Sequence, residues 1–239
     1  MPEPTVGLRA FPPGAAGSLA VSVLDGYGTC SREPRCVRRP PSYSAPTIQE
    51  PWLVCQGEEV QPVVEFRKLD RTDLSRLGEI DRTEHIDVLY DQHGTQLVAR
   101  HGNWTASAWD PDGHGEHSVD AQVHAVEHYV DTGGIALGAF ASGRLVGIGV
   151  VVPHLRPGTA QLAFLHVSAP LRATGIGTRL SEQLEQIARS AGDSDMVVSA
   201  TPSRNTVRFY LGRGFQPMME PLAELFELEP EDVHMHKLL

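Results

Sequence analysis

Apolar positions between residues 63 and 239 recur with two different periods, and the switches between them mark out strands and helices. Val63-Val-Glu-Phe66-Arg-Lys-Leu69 alternates loosely and predicts a first strand. Asp70 or Thr72 is placed to cap a helix beginning near Asp73. Leu74, Leu77, Ile80, Ile86 and Leu89 follow a spacing of three to four, which predicts one or two helices through about Asp91. Gly94 to Gly115 reads as irregular, with Leu97-Val-Ala as a short strand inside it. Ser118 then caps a helix over Val119–Val130, and Gly133-Gly134 stops it.

The pattern beyond Ile135 is that of a sheet. Ala136–Phe140, a turn at Ala141-Ser-Gly143 and Leu145–Val152 predict a hairpin. Gln161–Ser168 is a third strand. A helix follows over Gly175–Ser190, with Ile176, Leu180, Leu184 and Ile187 on one face. Asp195–Ala200 predicts a strand, 203–212 a helix, and Gly214–Met218 and Val233–Leu239 two more strands. No internal repeat is visible. The alternation predicts one α/β domain over residues 62–239.

Residues 1–61 have a different composition. They contain nine of the 18 prolines and none of the 11 histidines. Such a segment buries too little apolar surface to offset its ordering entropy, so a disordered extension is expected. A mis-assigned start is the other explanation; no Met lies between Met1 and Met196, so it would use a non-Met codon near Val60 or Val63. All three cysteines (Cys30, Cys36 and Cys55) fall in this segment, which argues against a disulfide framework and a cysteine nucleophile. A formal charge of −10 argues against a nucleic-acid partner. No apolar run reaches the ~20 residues of a membrane helix, and no signal-peptide pattern opens the chain. No membrane partner and a cytoplasmic location are therefore expected.

The candidate chemistry lies between Leu162 and Phe215. Arg172-Ala-Thr-Gly175-Ile-Gly177 follows a strand and opens a helix. Bare glycines there let backbone N–H groups converge on an anion, and the helix N-terminus adds partial positive charge. A tight turn with no ligand is the plainer alternative. A dinucleotide site fits poorly, because position 180 is Leu180 where that fingerprint needs glycine. His124-Ala-Val-Glu127-His128 has the spacing of one zinc-protease class, but no second feature of that class accompanies it, and no metal is expected.

The run LHVSAP, the R-x-x-G-x-G turn, the helix, the strand and NTVRFYLGRGF together resemble the acetyl-CoA core of the Gcn5-related N-acetyltransferases (GNAT). The resemblance is strong over residues 162–215. More loosely, residues 63–239 resemble one bacterial subgroup, with EIDRTEHID near the start and ELFELEPEDVHM near the end. It implies a mixed, mostly antiparallel sheet with flanking helices and acetyl-CoA in the splay between two central strands. Backbone amides of Ala173, Thr174, Gly175, Ile176, Gly177 and Thr178, with Arg172, would hold the pyrophosphate. The strand through Leu165, His166 and Val167 would pair with the pantetheine arm, and an N–H near Val167 would polarise the acetyl carbonyl. Tyr210 matches the tyrosine that protonates the departing thiolate; a packing tyrosine is the alternative.

Two positions depart from the family pattern. Ser203 stands where an asparagine is common, with Asn205 displaced by two, so either could contact the coenzyme. Gln161 stands where several members carry a glutamate base and cannot take a proton usefully. Glu84, with Asp81 and His85 nearby, is the substitute candidate, unless that stretch is only a solvated helix face. The expected reaction is acetyl transfer from acetyl-CoA to a primary amine, small molecule or peptide, by direct attack. A non-catalytic acyl-CoA-binding or regulatory module is the alternative. A homodimer is compatible with the family.

Overall fold

The computed structural model describes residues 63–110, 115 and 117–239. The expected extension over residues 1–61 lies outside them. Among the described residues nine strands and five helices follow in chain order: β1 (Val64–Lys68), α1 (Arg71–Leu74), β2 (Glu84–His93), β3 (Gln96–Ala106), α2 (Val119–Asp131), β4 (Ile135–Ala141), β5 (Arg144–Arg156), β6 (Thr159–Val167), α3 (Ile176–Ala191), β7 (Asp195–Ala200), α4 (Arg204–Gly212), β8 (Gln216–Pro217), α5 (Ala223–Leu228) and β9 (Val233–Leu238). Among these described residues no helix is long and apolar enough to cross a membrane.

A seven-stranded sheet runs β1-β4-β5-β6-β7-β9-β8. Every neighbouring pair in it is antiparallel except β6 and β7. The crossover between those two is α3, as a parallel connection requires. Each face of the sheet carries its own core. On one, Leu180 and Leu184 of α3 and Val207, Phe209 and Tyr210 of α4 pack on Leu162, Leu165, Val167, Met196, Val198 and Val233. On the other, Leu74, Leu77, Ile80, Trp109 and Val126 pack on Phe140, Ile148, Val150 and Phe164, with Tyr129 of α2 at the margin. Strand alternation explains the split: Leu165 and Val167 face α3, while Phe164 faces α2.

β6 and β7 stay paired only from Thr159↔Asp195 to Gln161↔Val197. Beyond that they diverge, and the register with β5 gives a local reason. Val150 pairs with Phe164 but Val151 with Leu162, so Ala163 is an extra residue in β6. Such a bulge bends its strand and increases its twist. The sheet therefore splays from Leu162 onward.

The expected helices through Asp91 are a correction. Only Arg71–Leu74 is α-helical, followed by a 3₁₀ turn over Ser75–Glu79. Residues 84–106 form a hairpin, β2–β3, separate from the main sheet. The apolar spacing from Leu74 to Leu89 mixed two elements. Within Glu84–Tyr90 the β-branched Ile86 and Val88 alternate with polar positions, and Gly94, at φ +59°, makes the turn. The short strand expected over Leu97–Ala99 is the middle of an 11-residue one. The acidic stretch Glu224–Asp232, for which the pattern predicts no element, begins within α5.

Candidate active site

The glycine turn folds as a left-handed hinge. Ala173 sits at φ +63° and Gly175 at φ +87°. Gly175 is the N-cap residue of α3 and offers no side chain to its free N–H groups; the first turn holds no acid. The leading amides of α3 thus lack both an intrahelical acceptor and a capping oxygen. A side chain at Gly175 would meet open space, so its backbone angle is what demands glycine. The Thr178 hydroxyl, in that first turn, is buried and makes no hydrogen bond among the described residues. An uncapped helix N-terminus beside two left-handed residues is chemically suited to a phosphate group.

Arg172 turns away from this cradle. Its Nε donates to Val167 O at 3.1 Å and its Nη1 to Thr83 O at 2.8 Å. Burial lowers the guanidinium's pKa, opposed by Glu84 and Asp81. The side chain thereby ties the end of β6 to the start of β2. Neighbouring bonds reinforce the tie: Asp81 N donates to Ser168 Oγ at 3.0 Å, and Ala169 N to Asp81 O at 2.8 Å.

β2 then crosses the mouth of the splay to α4. Tyr90 N donates to Pro202 O at 2.8 Å, and Leu89 bridges to Ser203. Between these anchors the Glu84 carboxylate accepts from Asn205 Nδ2 at 2.8 Å and Ser203 Oγ at 3.5 Å, with Arg172 Nη1 at 4.0 Å. Only 6% of its side-chain surface is exposed. Burial raises its pKa despite those donors. The structure thus brings Glu84, Arg172, Ser203 and Asn205 together. Ser203 is also the N-cap of α4, accepting from Thr206 N at 3.3 Å.

Leu165 and Val167 are buried on the α3 side, and His166 is held between the rings of Phe164 and Trp109 at 4.7 and 5.4 Å. All three lie beyond the last β6–β7 pair. Gln161 is itself in that last pair, where the splay opens. Tyr210 is fully buried, edge-on to Phe209 and Phe215 at 5.2 and 5.3 Å. Its hydroxyl makes no hydrogen bond among the described residues. Burial raises its pKa, and Asp232 and Glu229 raise it further.

Asp81–Tyr90, read as helical, is a strand and its approach, tied to Ser168, Arg172 and Asn205. Asp232 and Glu229, whose charges raise the Tyr210 pKa, were missed because their run reads as solvent-facing acid. Among the described residues no three His, Cys, Asp or Glu side chains converge as a metal site. The His124 ring meets Asp120 O at 2.7 Å.

Solved structures share this architecture. A nourseothricin acetyltransferase is 16% identical, with a TM-score of 0.56 over 73% of this chain and 98% of its own. A protein of Bacillus anthracis str. Ames, provisionally named a streptothricin acetyltransferase and solved with acetyl coenzyme A, is 16% identical, with a TM-score of 0.54 over 73% and 97%. A GNAT-family acetyltransferase of Staphylococcus aureus Mu50 is 14% identical, with a TM-score of 0.52 over 74% and 99%. At such identities the likeness is one of fold. No curated protein sequence matches. Residues 99–215, which hold the splay and the uncapped α3 turn, match the acetyltransferase (GNAT) family, and this part of the chain is a GNAT acetyltransferase domain.

Proposed function

We propose that the protein transfers an acetyl group from acetyl-CoA to a primary amine, with no covalent enzyme intermediate. One observation carries this reading: an uncapped, acid-free helix N-terminus and a buried phenol flank the same strand splay. Acetyl-CoA supplies the activated thioester. The amides of Ala173–Thr178 hold its pyrophosphate, and the diverging edge of β6 at Leu165–Val167 receives the pantetheine arm. The thioester then reaches the gap between β6 and β7, where an N–H near Val167 polarises the acetyl carbonyl.

Tyr210 acts as the leaving-group acid. A phenol is protonated at neutral pH even at its ordinary pKa, and burial raises it further. It therefore has a proton to give as the thiolate departs. Glu84 holds the mouth in shape: with Arg172, Asn205 and Ser203 around it, its carboxylate clamps β2 to β6 and α4. Thiol release from acetyl-CoA with a panel of primary amines tests the reading. Amine-dependent release is expected. Acetyl-CoA binding without release by any amine would instead support a non-catalytic module on this fold.

A further inference from the structure

A pocket of about 260 Å³ opens between the end of β2 and the start of β9. Its walls include Asp91 of β2, Met219, Phe226 of α5, and Glu231, Asp232 and His234 at the start of β9. Gln92 seals one side, its Nε2 donating to Met218 O at 2.8 Å and its Oε1 accepting from His234 N at 2.7 Å. The wall is acidic and partly apolar: Met219 is 67% exposed and Phe226 48%.

Its position relative to the sheet is informative. Val233 and Met235 pack with Tyr210 on the α3–α4 face. Alternation turns His234 to the opposite face, where its ring meets Phe226 at 5.8 Å and its Nδ1 meets Ser199 Oγ at 3.2 Å. Yet Asp232 and Glu229 act on the Tyr210 phenol, and Glu229 also acts on Tyr129 of α2, on that opposite face. Glu229 therefore influences phenols on both faces, and Asp232 shares its segment at the start of β9. Asp232 Oδ2 is sealed from solvent and receives no hydrogen bond among the described residues. A buried carboxylate oxygen without a donor is costly and calls for a cationic partner.

We propose that this pocket binds the acceptor as a protonated primary amine carrying an apolar body, and that Asp232 is the base that deprotonates it. The proposal rests on the acetyl-transfer reading and adds the acceptor side to it. The ammonium gives one proton to Asp232. The freed amine attacks the thioester carbon, and the C–S bond breaks. Tyr210 protonates the sulfur and recovers a proton from the acylated nitrogen. The Asp232 proton leaves through the pocket, so each turnover yields one amide, one thiol and one proton.

Burial, with Glu231 beside it, pushes the Asp232 carboxyl well above the usual range, which suits a base for an amine. The other titratable groups facing it are Asp91, Glu229, Glu231, His234 and Tyr210. Asp91 is itself 3.4 Å from Arg100, and burial lowers the pKa of His234. No wall residue competes as a cation.

The test uses benzylamine and spermidine with the full chain, wild type and Asp232→Asn. For wild type, kcat/KM for the amine should rise with pH along a limb set by Asp232. D232N should lose that limb and about 10²-fold in kcat/KM, while its acetyl-CoA affinity stays within about twofold, since the pyrophosphate cradle is on α3. An unchanged D232N profile overturns the assignment of the base. Phe226→Arg provides an independent arm on the exposed wall: it should raise KM for the amine at least about tenfold by repelling the cation. Unchanged KM there overturns the pocket. If the wild type binds benzylamine, by calorimetry with CoA present, yet releases no thiol, the acetyl-transfer reading fails while the pocket stands. If it turns over amines that D232N and F226R handle equally well, only this proposal fails.

Discussion

Tyr210 carries the most chemistry of any single residue and makes the sharpest prediction. Its hydroxyl is buried without a hydrogen bond, so it contributes nothing to stability that water would not have supplied, and its desolvation costs free energy. Tyr210→Phe should therefore melt at or above the wild-type temperature. Turnover should nonetheless fall by about 10²-fold, within the usual range for a general acid, with acetyl-CoA affinity unchanged. Calorimetry beside steady-state kinetics separates the two effects; a destabilised but fully active Y210F would make Tyr210 a packing residue. Glu84→Ala is expected to behave oppositely. It removes the acceptor for Asn205 and Ser203 and the carboxyl group facing Arg172, leaving those donors buried with fewer partners. The melting temperature should drop, by an amount equivalent to ~1–3 kcal/mol, and acetyl-CoA binding should weaken with it. Loss of turnover at wild-type stability and affinity would instead make Glu84 the base.

At the scale of elements, the α3 turn and the β6 bulge set the geometry. Gly175→Val places a β-branched side chain at φ +87°, a conformation that L-residues resist at a cost of about 1–2 kcal/mol. It also reshapes the amides opening α3. Acetyl-CoA affinity measured by calorimetry should drop at least about tenfold, and an unchanged dissociation constant would remove the cradle from the account. From Ile135 onward every element but α5 was legible in the sequence, because buried strands there read as apolar runs and α3 repeats its apolar face cleanly. The hairpin over residues 84–106 was not. Leu74, Leu77 and Ile80 have helical spacing, and Ile86 and Leu89 happen to continue it across an element boundary. The alternation at Ile86 and Val88, followed by Gly94, carried the correct signal but spans only a few residues. The bulge at Ala163 has no sequence mark, since alanine needs no special backbone there. Arg172 and Glu84 were legible as charged residues near the site. Their mutual engagement depends on contacts almost 90 positions apart, which no local pattern encodes.

For the whole molecule, the buried carboxyls set the response to pH. Asp232 and Glu84 have folded pKa values raised by burial. Their neutral forms favour the fold, so this stabilisation is complete below the unfolded carboxylate range and is lost as pH rises through the folded values. Asp73 behaves in the other sense. The Arg67 guanidinium, with contacts of 2.6 and 2.7 Å, holds it down to about 2, so its contribution is lost as pH falls from the usual carboxylate range toward that value. Melting curves from pH 5 to 9 should show wild-type stability declining on the alkaline side and D232N declining less. Parallel curves would mean that Asp232 is solvated. Acetyl-CoA at about 100 times its dissociation constant should stabilise the fold by about 2.7 kcal/mol, a shift of several degrees for a domain of this size.

The most direct measurement is amine-dependent thiol release from acetyl-CoA by wild type and Y210F, made alongside acetyl-CoA binding to both. Release that requires a primary amine, falls about 10²-fold in Y210F and leaves binding intact is the predicted result. Equal release by both proteins, or binding by both with no release from any amine, would contradict direct transfer with Tyr210 as the acid.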